Sequence, residues 1–534
     1  MNPQAAPGAT AGAAGLPGGP APASVPGFPG LGPGSSPGNI LVIQLARLGD
    51  LVQTWPLLTR LRQAYPGARL TLLTDRRVLA LSGIGPQVDE ALGFDFPGLA
   101  SLAPGNWQGA YRLVADLLKD LRSRDFGLVF NLNFSRLSLI LTHLLDAPAK
   151  GYLPARGGRD FSREPWPAWI YSLVHARRYN RFHLTDVFRH LAPEADGAPA
   201  PPQISIPRGG EPRVALQLAT RHARRTWPLE HFTRLAEFLV RRREARVLLL
   251  GSRAERPLGE RLRAALPPNI RERVANLQGA TDLQELAGEL RETRLLVSGD
   301  TGTLHLAAAL GVPTAALFLG PALCFETGPY GEGHYVLQAE PPCHPCLEAS
   351  SPCPEGSPIC LDMLPPLEVA RFVAGLPAER GAPRIALPAG ARVYRSGLDA
   401  FGAHYQYLGE DPPRFADLVG EAYRRAGAWL AGTGELGEGC REAQIPAPSP
   451  KTPPPIPYRG KEDISMQTTG LLTAVLAGSG QGQGIPPAMP EAAAALRPLT
   501  AFREEMRRQG REELFAGAKA LFVAQLESFL QNAR

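Results

Sequence analysis

A stretch of small and polar residues near the middle of the chain has the composition of a phosphate-binding turn. Ser298-Gly-Asp-Thr-Gly-Thr-Leu-His305 follows a predicted strand and opens a predicted helix. The backbone N–H groups of a helix start, with the positive end of the helix dipole, favour phosphate or pyrophosphate. Asp300 and Thr301 are also common helix caps, and His305 fits an ordinary polar position at a domain surface, so a purely structural role is the alternative.

Three arginines lie at a comparable place earlier in the chain. Arg221, Arg224 and Arg225 follow a predicted strand at 213–217 and precede a helix that begins near Pro228. Proline suits the first turn of a helix. Guanidinium groups match phosphate oxygens in a forked geometry, so this cluster suits the charge of a departing diphosphate. A solvated basic loop is the alternative.

A carboxylate opens the first predicted helix of the chain. Arg47-Leu-Gly-Asp50 follows a predicted buried strand at 40–45. A carboxylate at a helix N-terminus ordinarily serves as a stabilising cap. If Asp50 faces a cleft between domains, it can instead act as a general base toward an acceptor hydroxyl. The residues alone leave both interpretations open.

Four of the six cysteines fall close together, at Cys343, Cys346, Cys353 and Cys360. Thiolates at this spacing can hold tetrahedral zinc or an iron–sulfur cluster, and such a site would pin a loop that lacks regular structure. A structural zinc is the favoured interpretation and reduced free thiols are the alternative. We do not expect these thiols to take part in catalysis.

The elements that must position these residues alternate along the chain. Short apolar runs rich in β-branched residues alternate with amphipathic stretches of helical spacing, from 39 to 376. This alternation predicts an α/β fold with parallel sheets covered by helices. A Pro-, Ala- and Gly-rich connection at 193–212 divides it into two doubly wound domains, 39–192 and 213–376. We expect a cleft between them at the carboxyl ends of both sheets.

The remaining segments have different compositions. Residues 1–38 are a Gly/Pro-rich leader without charged side chains, which we predict to be disordered. The second domain includes the Cys loop, defined here as residues 343–360. After it we predict an extension at 377–444 with a helix near 411–432, a stiff Pro-rich linker at 445–458 and a partly helical tail at 459–534. The tail is compatible with docking to a membrane or to a partner helix.

Composition excludes several classes of protein. The net charge is +6, from 56 basic and 50 acidic residues, and no long block of Lys and Arg occurs. Nucleic-acid binding is therefore not expected. No apolar run reaches the roughly 18 to 20 residues of a membrane span. The leader lacks the charged start and apolar core of a secretory signal, so we expect a cytoplasmic protein.

Five sequence blocks, in order over residues 39–375, resemble the heptosyltransferases of glycosyltransferase family nine. The blocks are Ile40–Leu57, Arg225–Phe232, Leu250–Glu255, Leu277–Leu283 and Ser298–Pro313. The resemblance implies a GT-B fold with two Rossmann-like domains. It also implies inverting, metal-independent transfer of a sugar, usually heptose from an ADP-sugar, onto a lipopolysaccharide core or another glycan.

The resemblance assigns roles to residues whose motifs match. Asp50 matches the proposed catalytic base, and Glu255 matches an acidic residue near the ribose of the donor nucleotide. Arg225 stands where the family commonly has a lysine that contacts the donor phosphates. The diphosphate and sugar loop is matched by Asp300, Thr301, Gly302, Thr303 and His305. The sequence contains no Asp-x-Asp pair, so arginines and helix dipoles are expected to meet the phosphate charge without a catalytic metal ion.

The sequence departs from the family on the acceptor side. Lipopolysaccharide-core enzymes tend to carry basic residues after the second strand, whereas Gly93–Trp107 has Asp95 as its only ionisable side chain. The remaining candidates for acceptor contact are Arg47, Arg76, Arg77 and Arg136, with ordinary surface positions as the alternative. A glycolipid acceptor is compatible with peripheral association at the inner membrane.

A second hypothesis belongs to another class of protein. In it the GT-B core is a non-catalytic scaffold, and the Cys loop and C-terminal tail carry the function by assembling partners. The presence of both Asp50 and the complete block from Asp300 to His305 favours an enzyme.

Overall fold

The computed structural model describes residues 37–102, 105–153, 164–193, 203–207, 209–347, 353, 356–376, 383–433, 471 and 490–533. These residues all belong to one compact unit. The predicted leader, apart from residues 37 and 38, and the predicted Pro-rich linker at 445–458 lie outside the described residues.

The first domain is built on a five-stranded parallel sheet in the order β3-β2-β1-β4-β5. Its strands are β1 (Asn39–Gln44), β2 (Arg69–Asp75), β3 (Glu90–Phe94), β4 (Leu128–Asn131) and β5 (Ala149–Gly151). Its helices are α1 (Leu48–Gln53), α2 (Trp55–Ala64), α3 (Phe96–Leu102), α4 (Trp107–Arg122), α5 (Arg136–Leu145), α6 (Pro165–Leu173) and α7 (Leu184–Arg189), with 3₁₀ turns at Arg76–Gly83 and Arg177–Tyr179.

The central strand of this sheet is buried on both faces. All four residues from Ile40 to Ile43 are at most 1% exposed. Helices cover both sides of a parallel sheet, so its strands are continuous apolar runs without polar alternation. The strand order changes direction between β1 and β4, so the loops that follow these two neighbouring strands diverge at this point. Such a switch point is the usual ligand crevice of a doubly wound sheet.

The helical segment after β1 is divided into two helices, α1 and α2. They join at Thr54, whose hydroxyl donates to the backbone carbonyl of Asp50 over 2.9 Å. Pro56 lies in the first turn of α2. Proline has no N–H and its ring collides with the carbonyl four residues earlier, so a single continuous helix is disfavoured. The break keeps α1 short, with its first turn close to the end of β1.

The second domain is built on an eight-stranded sheet in the order β13-β12-β11-β10-β9-β6-β7-β8. Its strands are β6 (Arg213–Gln217), β7 (Arg246–Leu250), β8 (Val274–Asn276), β9 (Leu295–Ser298), β10 (Thr314–Phe318), β11 (Tyr335–Ala339), β12 (Ala391–Leu398) and β13 (Ala403–Tyr407). Its helices are α8 (Leu229–Arg243), α9 (Arg256–Ala264), α10 (Pro268–Arg271), α11 (Leu283–Arg291), α12 (Gly302–Ala309), α13 (Cys324–Thr327) and α14 (Pro366–Ala374), with 3₁₀ turns at Ala223–Arg225, Arg253–Glu255 and Ile359–Leu361.

The second sheet continues beyond residue 376, where the sequence predicts that the domain ends. Strand β12 pairs antiparallel with β11, and β13 pairs antiparallel with β12, so the two strands extend the sheet. Their sequences mix Arg, Ser, His and Gln with apolar residues, since an edge ribbon faces solvent more than a central strand does. The strong apolar signal of the parallel strands is therefore missing from them.

The C-terminal extension is mainly helical and packs back onto the first domain. Its described helices are α15 (Phe415–Thr433), α16 (Pro490–Arg508) and α17 (Glu512–Ala533). The indole of Trp169 on α6 meets the rings of Tyr423 and Phe502, with centroids 5.5 and 4.8 Å apart. None of the described helices is both long enough and apolar enough to span a membrane.

Candidate functional site

The two domains touch where α1 and α12 begin, and two glycines allow this approach. A Cβ on Gly49 would lie 2.7 Å from Cδ2 of His305, and one on Gly302 would lie 2.6 Å from Cδ2 of Leu48. Real Cβ atoms are essentially never this close to another atom, so larger residues would push the helix starts apart. The contact brings the block around Asp50 against the block from Ser298 to His305, which the sequence places in different domains.

His305 lies at the centre of this contact. The residue is 6% exposed. The amide nitrogen of Gln53, on α1, lies 3.2 Å from Nε2 of His305. The same ring nitrogen lies 3.6 Å from Oδ1 of Asp300. His305 therefore connects a polar side chain of the first domain to a carboxylate of the second.

Asp300 is an anion held among donors. Nη1 of Arg225 donates to its Oδ2 over 2.9 Å, and the hydroxyl of Thr327 donates to the same oxygen over 3.2 Å. Burial raises the pKa of Asp300, but its hydrogen bond with His305 and the charges of His305 and Arg225 lower it more. The pKa of this carboxyl thus lies below its usual value, so it stays ionised and orients Arg225.

The capping interpretation holds for Thr301 and not for Asp300. Thr301 is the N-cap of α12, and its hydroxyl accepts from the backbone N–H of Leu304 over 3.3 Å and lies 2.8 Å from the hydroxyl of Ser298. The carboxylate of Asp300 points instead to the arginine turn, which we define as residues 221–225. The two neighbouring residues thus have different structural roles.

The three arginines of the arginine turn separate in space. Arg225 reaches Asp300, as described above. Arg224 lines a pocket formed with the Cys loop, and Arg221 is exposed. Of the three predicted arginines, Arg225 is therefore the one that contacts the segment just before α12, through its hydrogen bond to Asp300.

Asp50 is both a cap and a member of the domain contact. Its Oδ2 accepts from the backbone N–H of Arg47 over 3.1 Å. Burial raises the pKa of Asp50, the positive charge of His305 lowers it, and the negative charge of Asp300 raises it. The net pKa of the Asp50 carboxyl lies above its usual value. A carboxylate with a raised pKa is a stronger base, so capping and proton transfer are compatible.

Glu255 joins the site through a residue that the sequence analysis missed. Its Oε2 accepts from the backbone N–H of Ser252 over 2.8 Å, as in a capping box, and from the side-chain amide of Gln217 over 3.3 Å. The amide oxygen of Gln217 accepts from the hydroxyl of Thr303 over 3.1 Å. Gln217 is the last residue of β6 and is 5% exposed. A polar residue at the carboxyl end of a central strand is the signal that could have identified it.

The predicted acceptor arginines are exposed around the first sheet. Arg47 precedes α1 and Arg136 begins α5, so they follow the two strands that flank the switch point, β1 and β4. Arg77 is engaged with Asp75, with Nη2 and Oδ2 2.9 Å apart. Arg76 begins the 3₁₀ turn after β2. By position, Arg47 and Arg136 remain the better candidates.

Another residue missed by sequence reasoning, Arg177, ties the first domain to the second. Its Nη2 lies 2.6 Å from Oε2 of Glu326, on α13, and donates to the carbonyl of Pro321 over 2.7 Å. Its Nη1 donates to the carbonyl of Cys346 over 3.2 Å. This contact holds the Cys loop against the first domain. Nothing in the local sequence around Arg177 distinguishes it from other arginines.

The four cysteines of the Cys loop line one pocket. Burial raises the pKa of the Cys360 thiol, and electrostatic interaction with the other cysteines of the loop raises it further. Among the described residues, no three His, Cys, Asp or Glu side chains are arranged to hold a metal ion.

Two doubly wound domains that meet at the carboxyl ends of their sheets define the GT-B fold. The family model described as glycosyltransferase family 9 (heptosyltransferase) matches residues 114–355. Over this segment the chain is similar to that family. The fold class and the enzyme class predicted from the sequence are confirmed.

Curated relatives carry heptosyltransferase names. Lipopolysaccharide heptosyltransferase 1 of Pseudomonas aeruginosa is 28% identical over 359 residues, which is 62% of this chain and 96% of that protein. Lipopolysaccharide heptosyltransferase 2 of Escherichia coli is 24% identical over 324 residues, 56% of this chain and 88% of that protein.

Among solved structures, E. coli ADP-heptose lps heptosyltransferase II aligns with a TM-score of 0.46 at 21% identity, covering 62% of this chain and 96% of that one. A family 9 glycosyltransferase from Veillonella parvula aligns with a TM-score of 0.47 at 19% identity, covering 57% of this chain and 88% of that one.

Proposed function

We propose that this protein transfers heptose from ADP-heptose to a lipopolysaccharide-type acceptor, with inversion at the anomeric carbon. The heptosyltransferase names of the relatives support this substrate class. The observation that carries the proposal is the contact between α1 and α12. It sets Asp50 of the first domain against the His305, Asp300 and Arg225 group of the second, as a two-substrate transfer requires.

In the proposed reaction, the Asp50 carboxylate takes the proton of an acceptor hydroxyl. The hydroxyl oxygen forms a bond to the anomeric carbon of the donor while the bond from that carbon to the diphosphate oxygen breaks. ADP departs with the bonding electrons, and the new bond forms on the opposite face of the sugar. The raised pKa of Asp50 suits this role, because proton transfer is efficient when base strength matches the working pH.

The second domain is proposed to bind the donor. The N-terminus of α12 and the guanidinium of Arg225 would stabilise the negative charge that develops on the diphosphate. Glu255, held by Ser252 and Gln217, would accept a hydrogen bond from a ribose hydroxyl. No divalent ion is assigned to this step, since arginine and helix dipole supply the positive charge.

Asp300 and His305 are proposed to act on the sugar side of this loop. Asp300 holds Arg225 at the mouth of the second sheet, so it positions the cation as well as lining the site. His305 lies between Gln53 of the first domain and Asp300 of the second, so its imidazole ring lies at the boundary of the two domains. The acceptor is a glycolipid in this proposal, so we place the enzyme in the cytoplasm, peripheral to the inner membrane.

The donor is tested most directly by calorimetric titration with ADP-heptose, ADP-glucose and UDP-N-acetylglucosamine, each in excess EDTA. The proposal predicts binding of ADP-sugars, tightest for ADP-heptose, and ADP release that requires a lipopolysaccharide acceptor. Absence of binding to every nucleotide sugar would favour a non-catalytic scaffold. Activity that appears only with a divalent ion would refute the metal-independent mechanism.

We also propose that the pocket of the Cys loop takes a structural zinc ion. The convergence of four thiols from residues 343–360 supports this. Metal analysis of purified protein is expected to give one zinc per chain, lost when Cys353 is replaced by serine. Iron with visible absorbance would point to a cluster. Metal-free protein with thiols that react with a disulfide reagent would show that the cysteines are free.

A further inference from the structure

Three aromatic side chains from separate elements gather at the carboxyl edge of the first sheet. Phe134 follows β4, Tyr152 follows β5 and Tyr171 lies on α6. The ring of Phe134 is tilted by 48° against Tyr152, and its centroid lies 6.4 Å from that of Tyr171. We call these three residues the aromatic platform.

The platform presents two of its rings to solvent. The Phe134 side chain is 56% exposed and Tyr171 is 39% exposed. Tyr152 lies deeper, and burial raises the pKa of its hydroxyl. An exposed phenylalanine supported by a second aromatic ring is costly to leave in water, and such surfaces commonly mark a binding site.

The position of Phe134 is fixed by the residue before it. The side-chain amide of Asn133 donates to the carbonyl of Ile43 over 2.7 Å, and its oxygen accepts from the N–H of Leu45 over 2.9 Å. Asn133 is 7% exposed. It therefore locks the loop after β4 to the end of β1, just before the segment that leads to Asp50. Phe134 stands beside the switch-point crevice of the acceptor domain.

We propose that a sugar ring of the acceptor stacks on Phe134 and Tyr171, which places the next hydroxyl of the glycan toward Asp50. This inference rests on the proposed transferase function and names how its acceptor is recognised. One face of a pyranose presents C–H groups with small positive charge, which the negative face of an aromatic ring attracts. The nearly uncharged segment from Gly93 to Trp107 agrees with recognition by stacking rather than by paired charges.

The chain offers sharp variants for this proposal. Phe134→Leu removes the ring and keeps an apolar side chain, whereas Phe134→Trp keeps an aromatic face. Ile140→Ala is the matched control, because Ile140 lies on α5 and is 52% exposed. A surface for lipid or for another copy of the chain would depend on general apolar area and would tolerate leucine at position 134.

The measurement is saturation transfer from the protein to the C–H protons of lipid-free lipopolysaccharide core oligosaccharide, with ADP at saturation. We expect transfer with the wild type, Phe134→Trp and Ile140→Ala, and an affinity about tenfold weaker for Phe134→Leu. Equal transfer for Phe134→Leu, or none with the wild type, would overturn the platform. ADP binding, titrated in the same samples, reports separately on the proposed transferase function.

A second experiment tests whether the aromatic platform binds lipid instead of a sugar. Vesicles of phosphatidylethanolamine and phosphatidylglycerol are sedimented with the same variants. The proposal predicts that wild type, Phe134→Leu and Ile140→Ala sediment equally. If Ile140→Ala loses vesicle binding while Phe134→Leu keeps both vesicle binding and oligosaccharide binding, the surface docks lipid and the proposed sugar stack is wrong.

Discussion

Gln53 and His305 meet across the domain boundary, with the amide nitrogen of Gln53 3.2 Å from Nε2 of the imidazole. They are 252 residues apart in sequence. The helix that carries Gln53 also carries Asp50, and the helix that carries His305 begins just after Asp300. The proposed base and the proposed donor loop are therefore held in one hydrogen-bonded arrangement rather than on independent surfaces.

Because the starts of α1 and α12 are in close contact, we predict that adding one methyl group at Gly49 lowers the activity. Gly49→Ala places a Cβ 2.7 Å from the His305 ring. That ring is confined by Gln53 and Asp300, so the helix starts must separate. We expect kcat/KM to fall about a hundredfold. The thermal midpoint should change little, since alanine favours a helix by about 1 kcal/mol over glycine.

Gly67→Ala is the control for this variant, because nothing lies within 4 Å of its Cβ position. Its activity is expected to match the wild type. If Gly49→Ala is as active as Gly67→Ala, close contact between the two helix starts is unnecessary for turnover.

The separation of the arginine turn predicts unequal roles for its members. Arg225→Ala removes the guanidinium beside Asp300, so ADP should bind about ten- to a hundredfold more weakly. Arg221→Ala removes an exposed arginine and should leave ADP affinity near the wild-type value. Calorimetric titration of ADP into each variant makes the comparison. Equal losses of ADP affinity in the two variants would mean that the arginine turn contributes its overall positive charge rather than one specifically positioned guanidinium.

Two carboxyls with opposite pKa shifts predict the pH profile of turnover. The pKa of Asp50 is raised, so a base at this position loses activity as pH falls through a value above that of an ordinary aspartate. The pKa of Asp300 is lowered, so Asp300 stays ionised over the same range. The profile of kcat/KM should show one acidic limb that is absent from the residual activity of Asp50→Asn. The same limb in the variant would assign it to another group.

An ion cluster holds the C-terminal extension to both domains. Asp417 of α15 lies 3.0 Å from a guanidinium nitrogen of Arg181 in the first domain and 3.2 Å from one of Arg392 in the second. Burial raises the pKa of Asp417, but Arg181 and Arg414 lower it more, and the net value is well below the usual range. The ionised carboxylate therefore stabilises the fold above the pKa of an unfolded aspartate.

Asp417→Asn should lower the free energy of unfolding by about 3 kcal/mol at pH 7. The difference from the wild type should shrink as the pH falls below the pKa of an unfolded aspartate toward the lowered pKa of Asp417, because the unfolded wild-type carboxyl then binds a proton and the folded one does not. Denaturant unfolding at pH 7 and near pH 3 tests both statements. Asp411→Asn is the control, since Asp411 contacts the Tyr407 hydroxyl at an exposed position. A constant difference at both values of pH would rule out the ion cluster as its source.

The parallel core was predictable because buried strands such as β1 leave continuous apolar runs in the sequence. The edge strands β12 and β13 were not, because their half-exposed residues resemble a loop. The candidate residues Asp50, Asp300 and His305 could be found from motifs next to strand ends. Their contacts with Gln53 and with each other depend on how the domains meet, which no local pattern encodes.

The central claim is that Asp50 removes the acceptor proton while the second domain alone holds the donor. Asp50→Asn keeps an oxygen that can accept from the backbone N–H of Arg47, and it removes a partly buried charge whose pKa is raised in the fold, so the variant should fold at least as stably at pH 7. The decisive experiment measures two quantities in the same preparation. They are the single-turnover rate of sugar transfer from ADP-heptose and the dissociation constant for ADP. We predict transfer slowed about 10²- to 10⁴-fold with unchanged ADP affinity. Transfer at the wild-type rate would contradict the assignment of Asp50 as the base.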